Sequence, residues 1–275
     1  MAIHLACESL QRGECEYAIA GGVNLSLHPS KYQRLSDMGM LSTDGRCRSF
    51  GANGDGYVPG EGVGAVLLKP LSEARKDGDH IYGIVKSSVA NHGGRTNGFT
   101  VPSPVAQASL VKAAIDKAGI DVNSISYIEA HGTGTSLGDP IEITGLTTAF
   151  EARDQDVDRC AVGSVKSNIG HLEGAAGIAA LTKVLLQIKH EALVPSLHSE
   201  TVNPLIDFDH SPFVLQRHFS TWRRLQVMSE SGPVELPRRA GISSFGAGGA
   251  NVHLIIEEPT PDNVQTVVDE FQSLL

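Results

Sequence analysis

The second half of the chain alternates between two hydrophobic patterns. Short apolar runs typical of β-strands lie at 81–89, 126–130 and 161–165. Segments in which apolar residues recur at helical spacing follow these runs, at 104–118, 140–150 and 172–190. Strands that alternate with helices predict an α/β fold with a mainly parallel sheet covered on both faces. Two final apolar runs, 240–245 and 252–257, flank a glycine-rich turn and predict an antiparallel pair.

The beginning of the chain has a less regular pattern. Residues 2–10 have helical spacing, but no Ser, Thr, Asp or Asn precedes them to cap the first turn. Residues 17–20, which a glycine pair at 21–22 follows as a turn, and residues 64–69 predict two short strands. The stretch 39–60 between them is rich in Gly, Asp and Asn and predicts a structured loop.

Composition and charge exclude several classes of function. The chain has 41% hydrophobic and 19% charged residues, which is typical of a soluble globular protein. Its formal net charge is −9 and its Lys and Arg form no cluster, so we expect no binding to nucleic acid. The four cysteines form no C-x-x-C pair and the histidines have no metal-ligand spacing, so we expect reduced thiols and no metal. No signal peptide or stretch long enough to span a membrane is evident, which predicts a cytoplasmic protein.

Two histidines and a glycine turn carry the candidate chemistry. His131 opens the segment HGTGT after one predicted strand, and His171 ends the segment KSNIGH after the next. Because α/β folds keep their active sites at strand ends, both imidazoles are candidates for a catalytic role. The glycines of the turn GAGGAN at 246–251 permit positive φ, so successive N–H groups there can point into a site. The chain therefore offers bases and an oxyanion site, but no convincing nucleophile.

An ordered series of motifs resembles the β-ketoacyl synthase family, in its modular polyketide synthase branch, over residues 1 to about 258. The motifs are Gly39-Met-Leu-Ser42, Asp44-Gly-Arg-Cys47, Gly56-Tyr-Val-Pro-Gly-Glu-Gly62, HGTGT at 131–135, Gly138-Asp-Pro-Ile-Glu142, KSNIGH at 166–171 and Phe245-Gly-Ala-Gly-Gly-Ala-Asn251. The segments 57–60 and 91–104 are similar to synthases whose acyltransferase is a separate protein, the trans-acyltransferase subtype.

The resemblance implies a thiolase-like fold in α-β-α-β-α layers, N-terminally truncated in this chain. Residues 1–70 are then the C-terminal remainder of the first half, and the polar segment 71–79 is the connection. Residues 80–258 are the second half, the ketosynthase C-terminal domain. Residues 259–275 are expected to be a linker or a docking tail, since 262–275 carry an apolar stripe at helical spacing.

The resemblance also implies catalytic roles. His131 and His171 correspond to the two catalytic histidines of the family, whose Nε2–H groups donate to the enolate oxygen of the substrate. A helix N-terminus after Ile169 would favour the neutral form of His171. Lys166 corresponds to the conserved lysine of the family, and Glu142 to the acid that pairs with it. The residues leave a second interpretation of Glu142 open, as the third helical position of a capping box that begins at residue 139.

Further positions correspond to substrate-binding residues, namely Thr133, Thr135, Phe245, Ala247 and Asn168. The two threonines would bind the phosphopantetheine arm of an acyl carrier protein, or they bond their own backbone within the turn. The N–H of Ala247 would complete an oxyanion hole with that of the acyl-accepting cysteine. Many fatty-acid members carry Phe at this position, so the alanine predicts a wider gate and a bulkier acyl chain. No covalently bound cofactor is expected.

The nucleophile is the main departure from the family. Its acyl-accepting cysteine lies in a Thr-Ala-Cys-Ser-Ser segment that would come before Met1. Cys7 lies about two helical turns beyond the expected thiol, and we expect it to be a small core residue. Cys15, Cys47 and Cys160 have no better claim, because a reactive thiol needs an adjacent base or a helix N-terminus.

The sequence therefore predicts the C-terminal part of a β-ketoacyl synthase, which catalyses decarboxylative Claisen condensation with a cysteine from outside this chain. The expected partners are an acyl carrier protein and an N-terminal ketosynthase half or a neighbouring polyketide synthase polypeptide, with a homodimer for the complete domain. The alternative is a non-catalytic ketosynthase remnant that acts as a structural or carrier-docking module. Retention of the two histidines, the lysine and the glutamate favours the enzyme.

Overall fold

The computed structural model describes residues 1–96, 98, 101–154, 156–229 and 232–261. Its helices are α1 (Ala2–Gln11), α2 (Ser30–Asp37), α3 (Leu71–Lys76), α4 (Pro104–Ala118), α5 (Gly138–Ala149), α6 (Lys166–Ile169) and α7 (Ala176–His190). Its strands are β1 (Ala18–Asn24), β2 (Gly62–Leu68), β3 (Ile84–His92), β4 (Tyr127–Glu129), β5 (Cys160–Gly163), β6 (Ala192–Leu193), β7 (Phe213–Leu215), β8 (Ser220–Thr221), β9 (Gln226–Ser229), β10 (Gly232–Glu235), β11 (Arg239–Phe245) and β12 (Ala250–Glu257). Short 3₁₀ turns lie at Val122–Ser124 and Glu173–Ala175.

A six-stranded sheet in the order β3-β12-β11-β4-β5-β7 forms the centre of the larger part of the molecule. The strands β11, β4, β5 and β7 pair in parallel, whereas β12 pairs antiparallel with both β11 and β3. The sheet is therefore mixed, with parallel pairing on one side of β11. The antiparallel pair predicted on either side of the glycine turn is confirmed.

Both faces of this sheet are covered, as the strand and helix pattern predicts. Successive residues of the central strands enter different cores, because successive side chains in a strand point to opposite faces. Tyr127 belongs to the core that contains α7, and Ile128 belongs to the core that contains α4 and α5. The same alternation separates Leu254 from Ile255 in β12. The α/β class is therefore confirmed.

The strands β1 and β2 form a separate antiparallel pair. The expected turn at Gly21 and Gly22 is wrong, because β1 continues through both glycines to Asn24. The glycines serve close packing instead of a turn. A Cβ at Gly21 would overlap the carbonyl oxygen of Gly64 in β2, and one at Gly22 would overlap the carbonyl oxygen of Gly174.

Several helix bounds differ from the pattern. The helix over 104–118 is confirmed, with a side-chain cap from Ser103 and a left-handed Gly119 at its C-terminus. The polar segment 71–79, which is expected to be the connection between the halves, contains the short helix α3. The long helix starts at Ala176, not at 172, because a 3₁₀ turn precedes it. Helix α1 has no side-chain cap, as expected.

The apolar stripe expected at 262–275 lies outside the described residues. Among the residues that are described, no helix has the length and apolarity needed to cross a bilayer. The same part of the chain contains no group of three or more His, Cys, Asp or Glu side chains placed to hold a metal ion.

Candidate active site

The carboxyl ends of β4 and β5 and the turn after β11 converge on one cavity of about 1150 Å³. His131 follows β4, His171 follows the helix after β5, and Phe245 ends β11. The ring centroids of His131 and His171 are 5.5 Å apart, and those of His131 and Phe245 are also 5.5 Å apart. Both imidazoles line the cavity. The two histidines therefore lie close together in one site.

Backbone N–H groups fix which nitrogen of each imidazole carries the proton. The N–H of Glu173 donates to Nδ1 of His171 over 2.9 Å, and the N–H of Phe245 donates to Nδ1 of His131 over 3.4 Å. A neutral imidazole that accepts at Nδ1 carries its proton on Nε2. Both rings can therefore act as Nε2–H donors.

Both imidazoles are held in the neutral form. Burial, together with the positive charges of Lys166 and Lys31, lowers the pKa of His171 to about 3. Burial also lowers the pKa of His131 well below its usual range, and Lys166 again adds to the effect. A helical N-terminus does follow Ile169, where α6 ends. The 3₁₀ turn at Glu173–Ala175 leads directly into α7, and its first N–H, that of Glu173, donates to His171.

Glu142 holds the loop that carries His131. Its Oε1 accepts the N–H of His131 over 2.7 Å, and its Oε2 accepts the N–H of Gly132 over 2.8 Å. Burial raises the pKa of Glu142 to about 7, while these two donors and Lys166 oppose the rise. The capping-box interpretation is wrong, because the residue at the N-terminal end of α5 is Leu137 and it makes no side-chain cap.

Asp139, in the first turn of α5, stabilises the same loop by hydrogen bonds. Its carboxylate accepts the N–H of Phe50 over 2.7 Å and that of Gly134 over 3.1 Å. Burial raises the pKa of Asp139 to about 6, against the effect of these bonds. The side chain therefore stabilises the segment after His131 instead of capping the helix.

Lys166 lies behind the cavity and is 2% exposed. Glu142 is expected to pair with Lys166. Within the described part of the chain, however, these two side chains form no ion pair within 4.0 Å. Burial lowers the pKa of Lys166, and the charges of Glu129, Glu142, Cys47 and Asp139 oppose that effect. The lysine therefore acts on the site through charge at a distance.

The substrate-binding candidates divide into two groups. Thr133, Thr135, Phe245 and Ala247 line the cavity. The hydroxyl oxygens of the two threonines lie 3.2 Å apart. Asn168 does not line this cavity, because its side-chain amide donates to the carbonyl oxygen of Pro195 over 3.4 Å.

The glycine turn is tighter than its sequence implies. Of its three glycines, only Gly249 has a positive φ, of 92°. The N–H of Gly246 donates to Ala250 and the N–H of Gly249 donates to Gly246, so both groups are used within the turn. The expectation that successive N–H groups of this turn can point into the site is therefore wrong for these two.

Two further side chains lie beside His171, a placement that the sequence did not predict. The ring of Tyr57 lies 4.8 Å from that of His171, measured between centroids. The thiol of Cys47 accepts the N–H of Val58 over 3.1 Å, and burial raises its pKa. Both residues belong to motifs of the loop at 39–60, so the motifs indicated the segment but not its contact with the histidine. Cys7 is buried in the core, as expected.

Comparison with known proteins assigns this arrangement to a family. The β-ketoacyl synthase N-terminal domain matches residues 1–74, and the β-ketoacyl synthase C-terminal domain matches residues 82–200. The chain belongs to the β-ketoacyl synthase family. The members of this family are condensing enzymes, and the relatives of this chain are polyketide synthases.

Two curated relatives illustrate the similarity. Polyketide synthase PksL of Bacillus subtilis is 61% identical over 264 residues, which are 96% of this chain and 6% of that protein. Polyketide synthase ThaG of Burkholderia thailandensis is 56% identical over 98% of this chain and 5% of that protein. The ketosynthase chain thus spans a small part of the length of these multidomain relatives.

Solved ketosynthase structures have the same fold. The oxazolomycin ketosynthase domain OzmH KS7 of Streptomyces albus superimposes with a TM-score of 0.91 at 56% identity, over 94% of this chain and 44% of that one. The ketosynthase from module 6 of the bacillaene synthase of Bacillus subtilis gives 0.87 at 45% identity, over 94% and 45%. The predicted thiolase-like fold is therefore confirmed.

Proposed function

We propose that this chain supplies the two catalytic histidines for decarboxylative condensation of a malonyl unit, on the phosphopantetheine arm of an acyl carrier protein, with an acyl-enzyme. The observation that carries this proposal is the pair of neutral, Nε2-protonated imidazoles in one cavity. Two donors at one point suit an oxygen that gains negative charge during the reaction.

The reaction needs such donors because its enolate intermediate carries negative charge on the thioester oxygen. Cleavage of the bond between the malonyl carboxylate and Cα releases CO2 and leaves the electron pair as a thioester enolate. The Nε2–H groups of His131 and His171 stabilise the enolate oxygen. The enolate carbon then attacks the acyl thioester on cysteine, a carbon–carbon bond forms, and the cysteine leaves as thiolate. Neutral imidazoles remain donors throughout.

The cavity offers separate surfaces for the two substrates. Thr133 and Thr135 present hydroxyls suited to the amides of the pantetheine arm. Leu35, Met38 and Met40 form an apolar wall suited to the acyl chain. The small side chain of Ala247 leaves room for a bulky acyl group, and its N–H is proposed as an oxyanion donor.

We propose that the acyl-accepting cysteine lies in a ketosynthase segment outside this chain. None of the four cysteines lines the cavity. Burial raises the pKa of Cys7 and of Cys160, which disfavours the thiolate at both positions. The proposed partners are accordingly a carrier protein and the segment that completes the ketosynthase, in a homodimer of the trans-acyltransferase subtype. We assign residues 1–70 and 80–258 to the two halves of that domain.

The test uses the ketosynthase polypeptide that contains this chain, a malonyl carrier protein and an acyl donor. We expect His131→Ala and His171→Ala each to lower the rate of CO2 release by about a hundredfold to a thousandfold, the cost of losing one oxyanion donor. His210→Ala is the matched control, because that side chain is 87% exposed and its bond within the described residues is to the nearby Asp207. Unchanged CO2 release in both active-site variants would refute the proposal and favour a non-catalytic module.

A further inference from the structure

A buried carboxylate behind the histidines makes contacts in three directions. Glu129, at the end of β4, is 0% exposed. Its Oε1 accepts the N–H of Val165 over 2.6 Å, and its Oε2 lies 2.8 Å from Nζ of Lys183 and accepts the hydroxyl of Tyr127 over 2.7 Å. Nζ of Lys183 also donates to the Tyr127 oxygen over 2.8 Å. Both oxygens of the carboxylate are therefore used.

These contacts join the parts of the chain that carry the catalytic residues. Glu129 is two residues before His131. Val165 is the residue at the N-terminal end of α6, and Lys166 is the first residue of that helix. The N–H that Glu129 accepts is therefore at the point where the chain turns from β5 towards Lys166. Lys183 lies in the middle of α7, which packs on the same face of the sheet.

The charged side chains that these contacts connect alternate in sign. Lys183 is positive, Glu129 is negative and Lys166 is positive. The groups that face Lys166 are Glu129 from β4, Glu142 and Asp139 from α5, and the thiol of Cys47. Burial lowers the pKa of Lys166, and Glu129 is the largest influence that opposes this effect. The positive charge of Lys166 in turn acts on both imidazoles of the site.

We propose that Glu129 is a positioning residue for the condensing reaction. Held by Lys183 and Tyr127, its carboxylate fixes the turn at Val165 and keeps the ammonium group of Lys166 charged and in place behind the two histidines. The cationic Lys166 then stabilises the negative charge that develops on the substrate oxygen. This inference rests on the proposed function.

The test compares three variants of the ketosynthase polypeptide that contains this chain. Glu129→Gln keeps an oxygen for the N–H of Val165 and removes the negative charge. The double variant Glu129→Gln with Lys183→Met removes both charges, so that no unpaired charge remains in the core. The matched control makes the same two substitutions in an exposed ion pair, as Glu151→Gln with Lys112→Met.

Two readouts separate positioning from a purely structural contribution. The first is the pH profile of CO2 release from a malonyl carrier protein. The second is the titration of the Lys166 side chain by NMR in protein with isotope-labelled lysine, where Lys166→Met assigns the signal. The second readout does not depend on activity.

We expect the folded double variant to release CO2 roughly tenfold to a hundredfold more slowly, the scale of effect expected from a displaced catalytic group. In Glu129→Gln the alkaline limb of the profile and the titration midpoint of Lys166 should both move to lower pH. Normal rates, an unchanged profile and an unmoved Lys166 midpoint in the folded double variant would overturn the inference. Lack of CO2 release by the unsubstituted polypeptide would refute the proposed function instead, and the Lys166 titration would still decide whether Glu129 controls its charge.

Discussion

The two imidazoles of the site should remain uncharged far below neutral pH. Burial lowers the pKa of His171 to about 3 and that of His131 well below its usual range, so the donor form persists as the pH falls. We predict that neither imidazole becomes protonated between about pH 7 and pH 5, where a histidine with an ordinary pKa would be about 97% protonated at the lower end. The measurement is an NMR titration of the two histidines, because Glu142 and Asp139, whose pKa values are raised to about 7 and about 6, titrate in this range and would themselves change the rate of CO2 release.

Substitution of Lys166 tests the direction of this pKa shift. Its positive charge contributes to the low pKa of both imidazoles. Lys166→Met removes that charge, so the titration midpoint of each histidine should move to higher pH. A titration midpoint of either imidazole near the ordinary histidine pKa of about 6.5 in the unsubstituted protein would contradict the prediction.

The side chain of Glu142 should matter more for geometry than for charge. Its two oxygens accept the N–H groups of His131 and Gly132. In Glu142→Gln one of these N–H groups meets an amide NH2, and an unsatisfied buried donor costs about 1–3 kcal/mol. We predict that loss in the free energy of unfolding measured in urea, together with slower CO2 release.

The control for Glu142→Gln is Glu151→Gln, because that side chain is 67% exposed. Surface substitutions of this kind usually change stability by less than about 0.5 kcal/mol. Equal effects of the two substitutions would show that the bonds to the His131 loop contribute nothing.

At the level of elements, the strand β1 packs against the turn that positions His171. A Cβ at Gly22 would overlap the carbonyl oxygen of Gly174, in the 3₁₀ turn whose Glu173 N–H donates to His171. We predict that Gly22→Ala displaces this turn, lowers the free energy of unfolding by about 1–3 kcal/mol, and slows CO2 release. Urea unfolding and the CO2 assay measure the two effects.

Gly177→Ala in α7 is the matched control, because its Cβ would lie an ordinary 3.7 Å from the hydroxyl of Ser244. Alanine is also the better helix former, by about 1 kcal/mol. If Gly22→Ala were as stable and as active as Gly177→Ala, the packing of β1 would play no part in holding His171.

The order of the main elements from β3 to α7 was predictable because hydrophobic periodicity carries it, whereas the pattern predicted neither α2 nor the strands β6 to β10. The helix over 104–118 has a cap, a proline at its start and a glycine after its end, so its bounds were predictable too. The path of β1 was not, since a glycine pair indicates a turn and a close backbone contact equally well. The two histidines of the site were predictable from the motifs HGTGT and KSNIGH. The roles of Glu129 and Lys183 depend on a contact between residues 54 positions apart, which no local pattern contains.

For the whole molecule, the pair of strands β1 and β2 has one apolar face that the described residues leave uncovered. Three cross-strand pairs form it, Ile19 with Leu67, Gly21 with Ala65, and Val23 with Val63. The larger side chains are 57% to 82% exposed. An isolated pair of strands with this composition is a site of aggregation.

We predict that this chain by itself is marginally stable and that the rest of a ketosynthase covers this face. The solved ketosynthase chains are about twice as long as the part that this chain matches, 44% in one case. Covering a large apolar side chain contributes about 1.5–3 kcal/mol, so four such side chains rival the roughly 5–15 kcal/mol that stabilises a domain. The chain alone should bind a hydrophobic dye, aggregate and melt at low temperature, and co-expression with an N-terminal ketosynthase fragment should yield a soluble complex. Hydrogen exchange should then be slower in β1 and β2 of the complex. A cooperative, high-melting monomer that binds no dye would contradict this prediction, because the exposed face would then be stable in water without a partner.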